Sequence, residues 1–192
     1  MKKLSKNQLY DLKKIPTAKS MKVGILVSEW NSKITEELFN GAIKTLIACN
    51  CKEENIIRKN VPGSFELPLA AQFFFESSDV DAVICLGSII KGETKHFDYV
   101  CESTAIGIKD VSLKYNKPVI FGVLTDNTLQ QAVDRSGGKF GNKGIEAAIC
   151  AIKMINLKSD LDLINKLKKA WLLTRPFCGE RGIRTPGTLL YN

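Results

Sequence analysis

Four stretches set what this chain can become: VGILVS (23–28), NIIRKNV (55–61), AVICLGSII (82–90) and PVIFGVL (118–124). The first is a continuous apolar, β-branched run, the pattern of a strand covered on both faces. Between the runs the spacing becomes helical. Ile34, Leu38, Phe39, Ala42, Ile43, Leu46 and Ile47 fall on one helix face, with Asn31 or Ser32 as the cap. LPLAAQFFFE (67–76) reads as a short apolar helix. Phe97, Val100, Cys101, Ala105, Ile108 and Val111 mark another face, and helical pieces follow at 128–135 and 142–156. Strand and helix alternate four times, which predicts an α/β fold: a parallel sheet with helices on both faces.

A chain of 192 residues, 44% hydrophobic and 25% charged, has the size and composition of one globular domain. No apolar run approaches the ~18 residues of a membrane span. The basic N-terminus MKKLSKNQLYDLKKIPTAKS lacks the apolar core of a secretory signal, so the expected location is the cytoplasm. The six cysteines contain no CxxC pair and read as buried free thiols. With a single His they do not supply a zinc site, and no metal is expected.

The net charge of +8 suggests nucleic acid until it is located. Residues 1–22 hold seven lysines and one acid, and residues 158–192 hold seven Lys or Arg and three acids. Residues 23–157 therefore carry −2. A slightly acidic body between basic ends argues against a nucleic-acid groove on the fold and divides the chain into an N-terminal extension (1–22), a domain (23–157) and a C-terminal extension (158–192). Within the last, SDLDLINKLKKAWLL reads as a further amphipathic helix, and the turn-rich segment after it as mobile.

In a parallel sheet, ligands bind beyond the carboxyl ends of the strands. Glu29-Trp30-Asn31 follows the first strand and Pro62-Gly63-Ser64-Phe65-Glu66 the second. Lys91-Gly92-Glu93-Thr94-Lys95-His96 follows the third and Thr125-Asp126-Asn127 the fourth. One edge thus collects an exposed aromatic, a carboxylate, a glycine turn ahead of a helix, and the chain's only His. Singly, each has an ordinary explanation: Trp30 as strand-end packing, Glu66 as a helix-dipole partner, His96 as a satisfied polar group, Gly92 as a turn residue, Arg135 as a solvated charge in a loop region. Together they form a site. Trp30 can stack on a flat ring whose edge Glu66 binds. An anion can sit at the helix start after Gly92, with Arg135 adding a forked contact, and His96 between the two can move protons. Without a Walker loop or GxGxxG, a triphosphate or dinucleotide is not favoured.

The motifs VPGSFELPLAA, GSIIKGETKHFDYVCES and KPVIFGVLTDNTLQQAVDRSGGKFGNKG resemble those of the lumazine synthase family, in order and at natural spacing, from about Val23 to Leu157. The resemblance implies a flavodoxin-like fold with a four-stranded parallel sheet, and a transferase of riboflavin biosynthesis. That activity condenses 5-amino-6-(D-ribitylamino)uracil with (S)-3,4-dihydroxy-2-butanone 4-phosphate and uses no cofactor. It implies Trp30, Ser64, Phe65 and Glu66 on the pyrimidine and ribityl chain, and backbone contacts from Ser88, Ile89 and Ile90. Phe121 would close the pocket from an adjacent subunit. Glu93 and Thr94 would hold the phosphate through backbone N–H groups, opposite Arg135, which like Phe121 would come from across a subunit boundary, with His96 as the proton-transfer residue. Family members build pentamers and shells of sixty subunits, so the implied partners are further copies of this chain and riboflavin synthase, with no nucleic acid and no membrane. A catalytically silent lumazine or flavin binder on the same fold needs neither His96 nor Arg135. A receiver-like signalling domain needs an Asp at the end of the third strand, where Ser88-Ile89-Ile90 stand.

Overall fold

β1 (Val23–Ser28) is buried at all its positions, as a central strand must be when both sheet faces are covered. The computed structural model describes residue 11 and residues 14–174. The chain divides into two compact units, Met1–Lys158 and Ser159–Asn192.

In the first unit four strands, β1, β2 (Ile56–Val61), β3 (Ala82–Ile90) and β4 (Val119–Asp126), form one parallel sheet in the order β2-β1-β3-β4. The flavodoxin-like expectation is met. Successive side chains of a strand point to opposite faces, and the core divides accordingly. Val23, Ile25 and Val27 of β1 join Ile84 and Leu86 of β3 beneath α1 (Ser32–Ala48) and the first part of α5 (Lys143–Thr174). Leu26, Val83 and Cys85 join the other layer with α2 (Leu67–Ser77) and α3 (His96–Tyr115). The short helix α4 (Leu129–Arg135) follows β4. At its start Thr128 accepts a hydrogen bond from the Gln131 N–H, while Gln131 Oε1 accepts from the Asn127 N–H, a near-capping box legible as T-L-Q-Q.

On edge strand β2, Arg58 ties α1 to the sheet. Its guanidinium donates to both Glu36 carboxylate oxygens at 2.9 and 2.5 Å and lies 4.3 Å from the Phe39 ring centroid.

Three expectations change. Asn31 occupies the N-cap of α1 but makes no side-chain cap bond; it adopts a left-handed conformation, φ 57°, and its amide is used elsewhere. The predicted helical pieces at 142–156 and 159–173 belong to the single helix α5, because no Gly or Pro interrupts 145–174. Within the second unit, residues 159–171 are helical and exposed throughout. Cys49, Cys51 and Cys85 are buried thiols as expected, and burial pushes the Cys85 thiol far up, but Cys150 is exposed on α5. Cys178 and the turn-rich segment that holds it lie outside the described residues.

The loop between α4 and α5 is held by Asn142. Its amide nitrogen donates to Glu37 O (2.8 Å) and Ser136 O (3.0 Å), and its Oδ1 accepts from the Gly144 N–H (2.8 Å). This draws Gly144 onto α1 so closely that a Cβ there would strike the Leu38 carbonyl, a backbone atom with little room to yield. Gly144→Ala should therefore destabilise the fold by about 1–3 kcal/mol, the usual cost of overpacking. Chemical denaturation checks it, and an unchanged midpoint would show that α1 and α5 separate freely.

Candidate active site

The site begins with a register offset. β1 pairs with β3 only as far as Val27↔Leu86, whereas β3 pairs with β4 on to Ile90↔Asp126. Gly87–Ile90 thus extend beyond the neighbouring strand on the β1 side. The Asn31 amide donates to Ser88 O at 2.9 Å on that side, and strand alternation turns the N–H and C=O of Ile90 the same way. Chain order reverses here, because β2 lies to one side of β1 and β3 to the other. This is the switch point at which open α/β sheets bind ligands.

A cleft of about 1220 Å³ opens at this place. Its walls carry Trp30, Ser64, Phe65, Glu66, Thr94 and His96, and its floor Ser88, Ile89 and Ile90. Nine of the twelve residues expected from the sequence therefore share one cavity. Each is positioned by identifiable contacts. The Glu29 N–H donates to Val61 O (2.9 Å) and the Trp30 N–H to Pro62 O (3.3 Å), which joins the β1 and β2 ends. Trp30 is left 73% exposed, a free stacking face. A Cβ added at Gly63 would lie 3.0 Å from Glu66 Oε2 and 3.5 Å from Trp30 Cδ1, so carboxylate and indole flank one glycine. Thr104 of α3 donates to Ser64 O at 3.2 Å and anchors the 62–66 turn. Ser88 Oγ is buried without a hydrogen-bond partner among the described residues; its side chain lies on the α1/α5 face with Leu86, so Ser88 offers the cleft its backbone rather than its hydroxyl.

At the far side Gly92 and Thr94 lead into α3. The His96 N–H donates to Thr94 Oγ1 at 3.4 Å, and His96, the first residue of the helix, is exposed on the cleft. The free N–H groups of such a helix start attract an anion.

Three expected residues stand apart. Glu93 is exposed beside the cleft without lining it. Phe121, on edge strand β4, packs against the α2–α3 layer. Arg135, at the end of α4, is 57% exposed; its Nε lies 3.7 Å from Asp126 Oδ1 and its Cζ 6.0 Å from the Phe140 ring. Burial raises the Asp126 carboxyl above the usual range, while Arg135 opposes that shift. The α3 wall also contributes Phe97, Tyr99, Glu102, Ser103 and Ile106. Tyr99, Glu102, Ser103 and Ile106 were not singled out from the sequence, although their 3–4-residue spacing on α3 is a helix face that could have shown them.

A parallel sheet sheathed on both faces, with an aromatic–carboxylate cleft at its switch point, defines a flavodoxin-like α/β protein with a place for a small flat ligand. The chain belongs to the 6,7-dimethyl-8-ribityllumazine synthase family, an enzyme family whose model matches residues 20–159. It is 54% identical over 154 residues to the 6,7-dimethyl-8-ribityllumazine synthase of Flavobacterium johnsoniae, covering 80% of this chain and 81% of that protein. It is 57% identical over 141 residues to that of Cytophaga hutchinsonii (73% and 89%), and 51% identical over 150 residues to that of Parabacteroides distasonis (78% and 94%).

Asn31 holds the cleft's mouth. Asn31→Gly keeps the left-handed backbone and deletes the bond to Ser88 O, and should cost about 1 kcal/mol. Asn31→Ala should cost roughly 1 kcal/mol more, because a Cβ without a local polar partner is then forced into that conformation. Denaturant titration of both variants checks this; equal stabilities would mean that the backbone there is unstrained.

Proposed function

We propose that this chain condenses 5-amino-6-(D-ribitylamino)uracil with (S)-3,4-dihydroxy-2-butanone 4-phosphate to form 6,7-dimethyl-8-ribityllumazine, phosphate and water, the penultimate step of riboflavin biosynthesis. The observation that carries the reading is the cleft itself, whose lining brings together Trp30 and Glu66, Gly92 and Thr94 of the turn before α3, and His96 at the start of that helix. On this reading residues 23–157 form the catalytic domain, which works in the cytoplasm.

The pyrimidine stacks on Trp30, a contact of roughly 1–3 kcal/mol for a base on an aromatic ring. Glu66 and the exposed strand edge at Ser88–Ile90 bind its polar rim, and Ser64 and Phe65 border the ribityl chain. The ketone's phosphate sits at the start of α3 on the backbone N–H groups of Glu93 and Thr94. The amine attacks the ketone carbonyl and water leaves to give an imine. A proton is lost from carbon, phosphate departs with its electron pair, and the second amine closes the ring with loss of another water. Each step moves a proton between heteroatoms or from carbon, which His96 can relay. Holding two substrates in register supplies much of the rate. No step transfers electrons to an acceptor, so the sequence of bonds requires no redox cofactor.

Phe121 and Arg135 are absent from the cleft of their own chain. Their assigned roles are fulfilled if a neighbouring copy presents them, so the active form is a ring of subunits with shared sites, a pentamer that can assemble further into a sixty-subunit shell. Riboflavin synthase, which consumes the product, is the proposed partner beyond the chain itself.

The full chain given both substrates should generate the absorbance of the lumazine product; none from a folded, assembled protein would refute the reading. His96→Ala should lower kcat by a factor near or below the ~10² lower end for proton-transfer groups and leave both KM values little changed. Steady-state kinetics decide it, and an unchanged kcat would make His96 structural.

A further inference from the structure

We infer that Asp126 is a positioning residue that orients the Arg135 guanidinium for the phosphorylated substrate held in the adjacent subunit's cleft. The inference rests on the reading of Arg135 as a phosphate ligand. Asp126 ends β4, opposite Ile90, at the ligand-binding edge of the sheet. Its backbone carbonyl accepts the Lys91 N–H at 2.9 Å and so fixes the start of the 91–95 turn. Its carboxylate faces Arg135, with Oδ1 3.7 Å from Nε. Asp126 is thus anchored at the base of its own chain's 91–95 turn, while its carboxylate steers an arginine that serves the adjacent subunit's phosphate.

The orientation follows from which guanidinium nitrogen is engaged. Asp126 takes the Nε side and Phe140 lies 6.0 Å from Cζ. This leaves the Nη1–Nη2 edge, with its parallel N–H bonds, turned away from the carboxylate, and that edge matches two oxygens of a phosphate. An arginine at 57% exposure without such an anchor would sample many rotamers, and ordering it on binding would reduce affinity.

The second observation is the cost of the arrangement. The Asp126 side chain is only 8% exposed, and its Oδ2 is buried without a hydrogen-bond partner among the described residues. Arg135 is too far for a tight bond and too exposed to compensate fully, so burial still raises the carboxyl's pKa. A carboxylate kept at such a position is poorly explained by stability. Sites where a sequence breaks its own packing rules are expected to be functional ones.

The test uses the assembled full chain and compares Asp126→Asn, Arg135→Ala and the double variant. Asp126→Asn conserves shape and removes the charge. The KM for the phosphorylated ketone should rise about 2- to 5-fold, the range of a partly exposed ion pair, with the pyrimidine KM and kcat little altered and no loss of thermal stability. In the Arg135→Ala background the same change should add nothing, since Asp126 acts only through Arg135. If Arg135→Ala raises the ketone KM and Asp126→Asn does not, the positioning role is wrong while the phosphate reading of Arg135 stands. If Arg135→Ala leaves that KM unchanged, the reading beneath the inference fails. A fall in stability with both KM values rising, or failure of Asp126→Asn and Asp126→Ser alike to fold, would make Asp126 a structural residue and overturn the inference.

Discussion

The offset between β1 and β3 is the constraint on which the site depends. β3 must run past β1 to pair fully with β4, and this leaves Gly87–Ile90 with one backbone edge beyond the reach of β1. In a buried sheet an unused strand edge costs free energy unless something binds it. Here Asn31 takes one carbonyl, and the cleft lies over the rest. Because Asn31 must turn back from the end of β1 to reach Ser88, it sits in the left-handed region, and Trp30 is presented to the opening. The same offset therefore explains the position of the stacking residue, the conformation beside it and the polar floor.

The site is held by a few modest bonds on a strong scaffold. Asn31 to Ser88 O and Thr104 to Ser64 O each contribute on the order of 1 kcal/mol. The burial of Ile25, Leu26, Ile84 and Leu86, fully enclosed in the central strands, contributes on the order of 1.5–3 kcal/mol for each side chain. The core thus fixes the strand ends, and the small polar contacts choose how the turns leave them. Arg135 belongs to neither set: it sits on a seven-residue helix and is steered by one buried carboxylate.

The sheet was legible because its strands are buried on both faces, and burial of that kind leaves a continuous apolar record; β3 was read residue for residue at 82–90. The convergence of Trp30, Glu66 and His96 followed from topology alone, since parallel strands bring all their carboxyl ends to one edge. Side-chain partners were less legible. Asn31 looked like a cap because Asn is a common cap, and only the three-dimensional approach of Ser88 reveals its other use. The continuity of α5 was missed because the apolar face changes near residue 157, which resembles an ending when no partner surface is visible. The separation of Phe121 and Arg135 from the cleft could not be read from residue spacing; the family resemblance alone placed both on a neighbouring subunit.

That separation gives the central claim its most direct measurement. Trp30→Ala and Arg135→Ala subunits, each impaired at low substrate, can be dissociated, mixed in equal amounts and reassembled, and the initial rate of lumazine formation compared with that of either parent. If one subunit's cleft is completed by its neighbour in a head-to-tail ring, about a quarter of the sites in the mixed assemblies contain both native residues, and the mixture recovers about that fraction of full activity. A mixture no more active than the mean of its parents would show that Trp30 and Arg135 act within one chain, and would contradict the account.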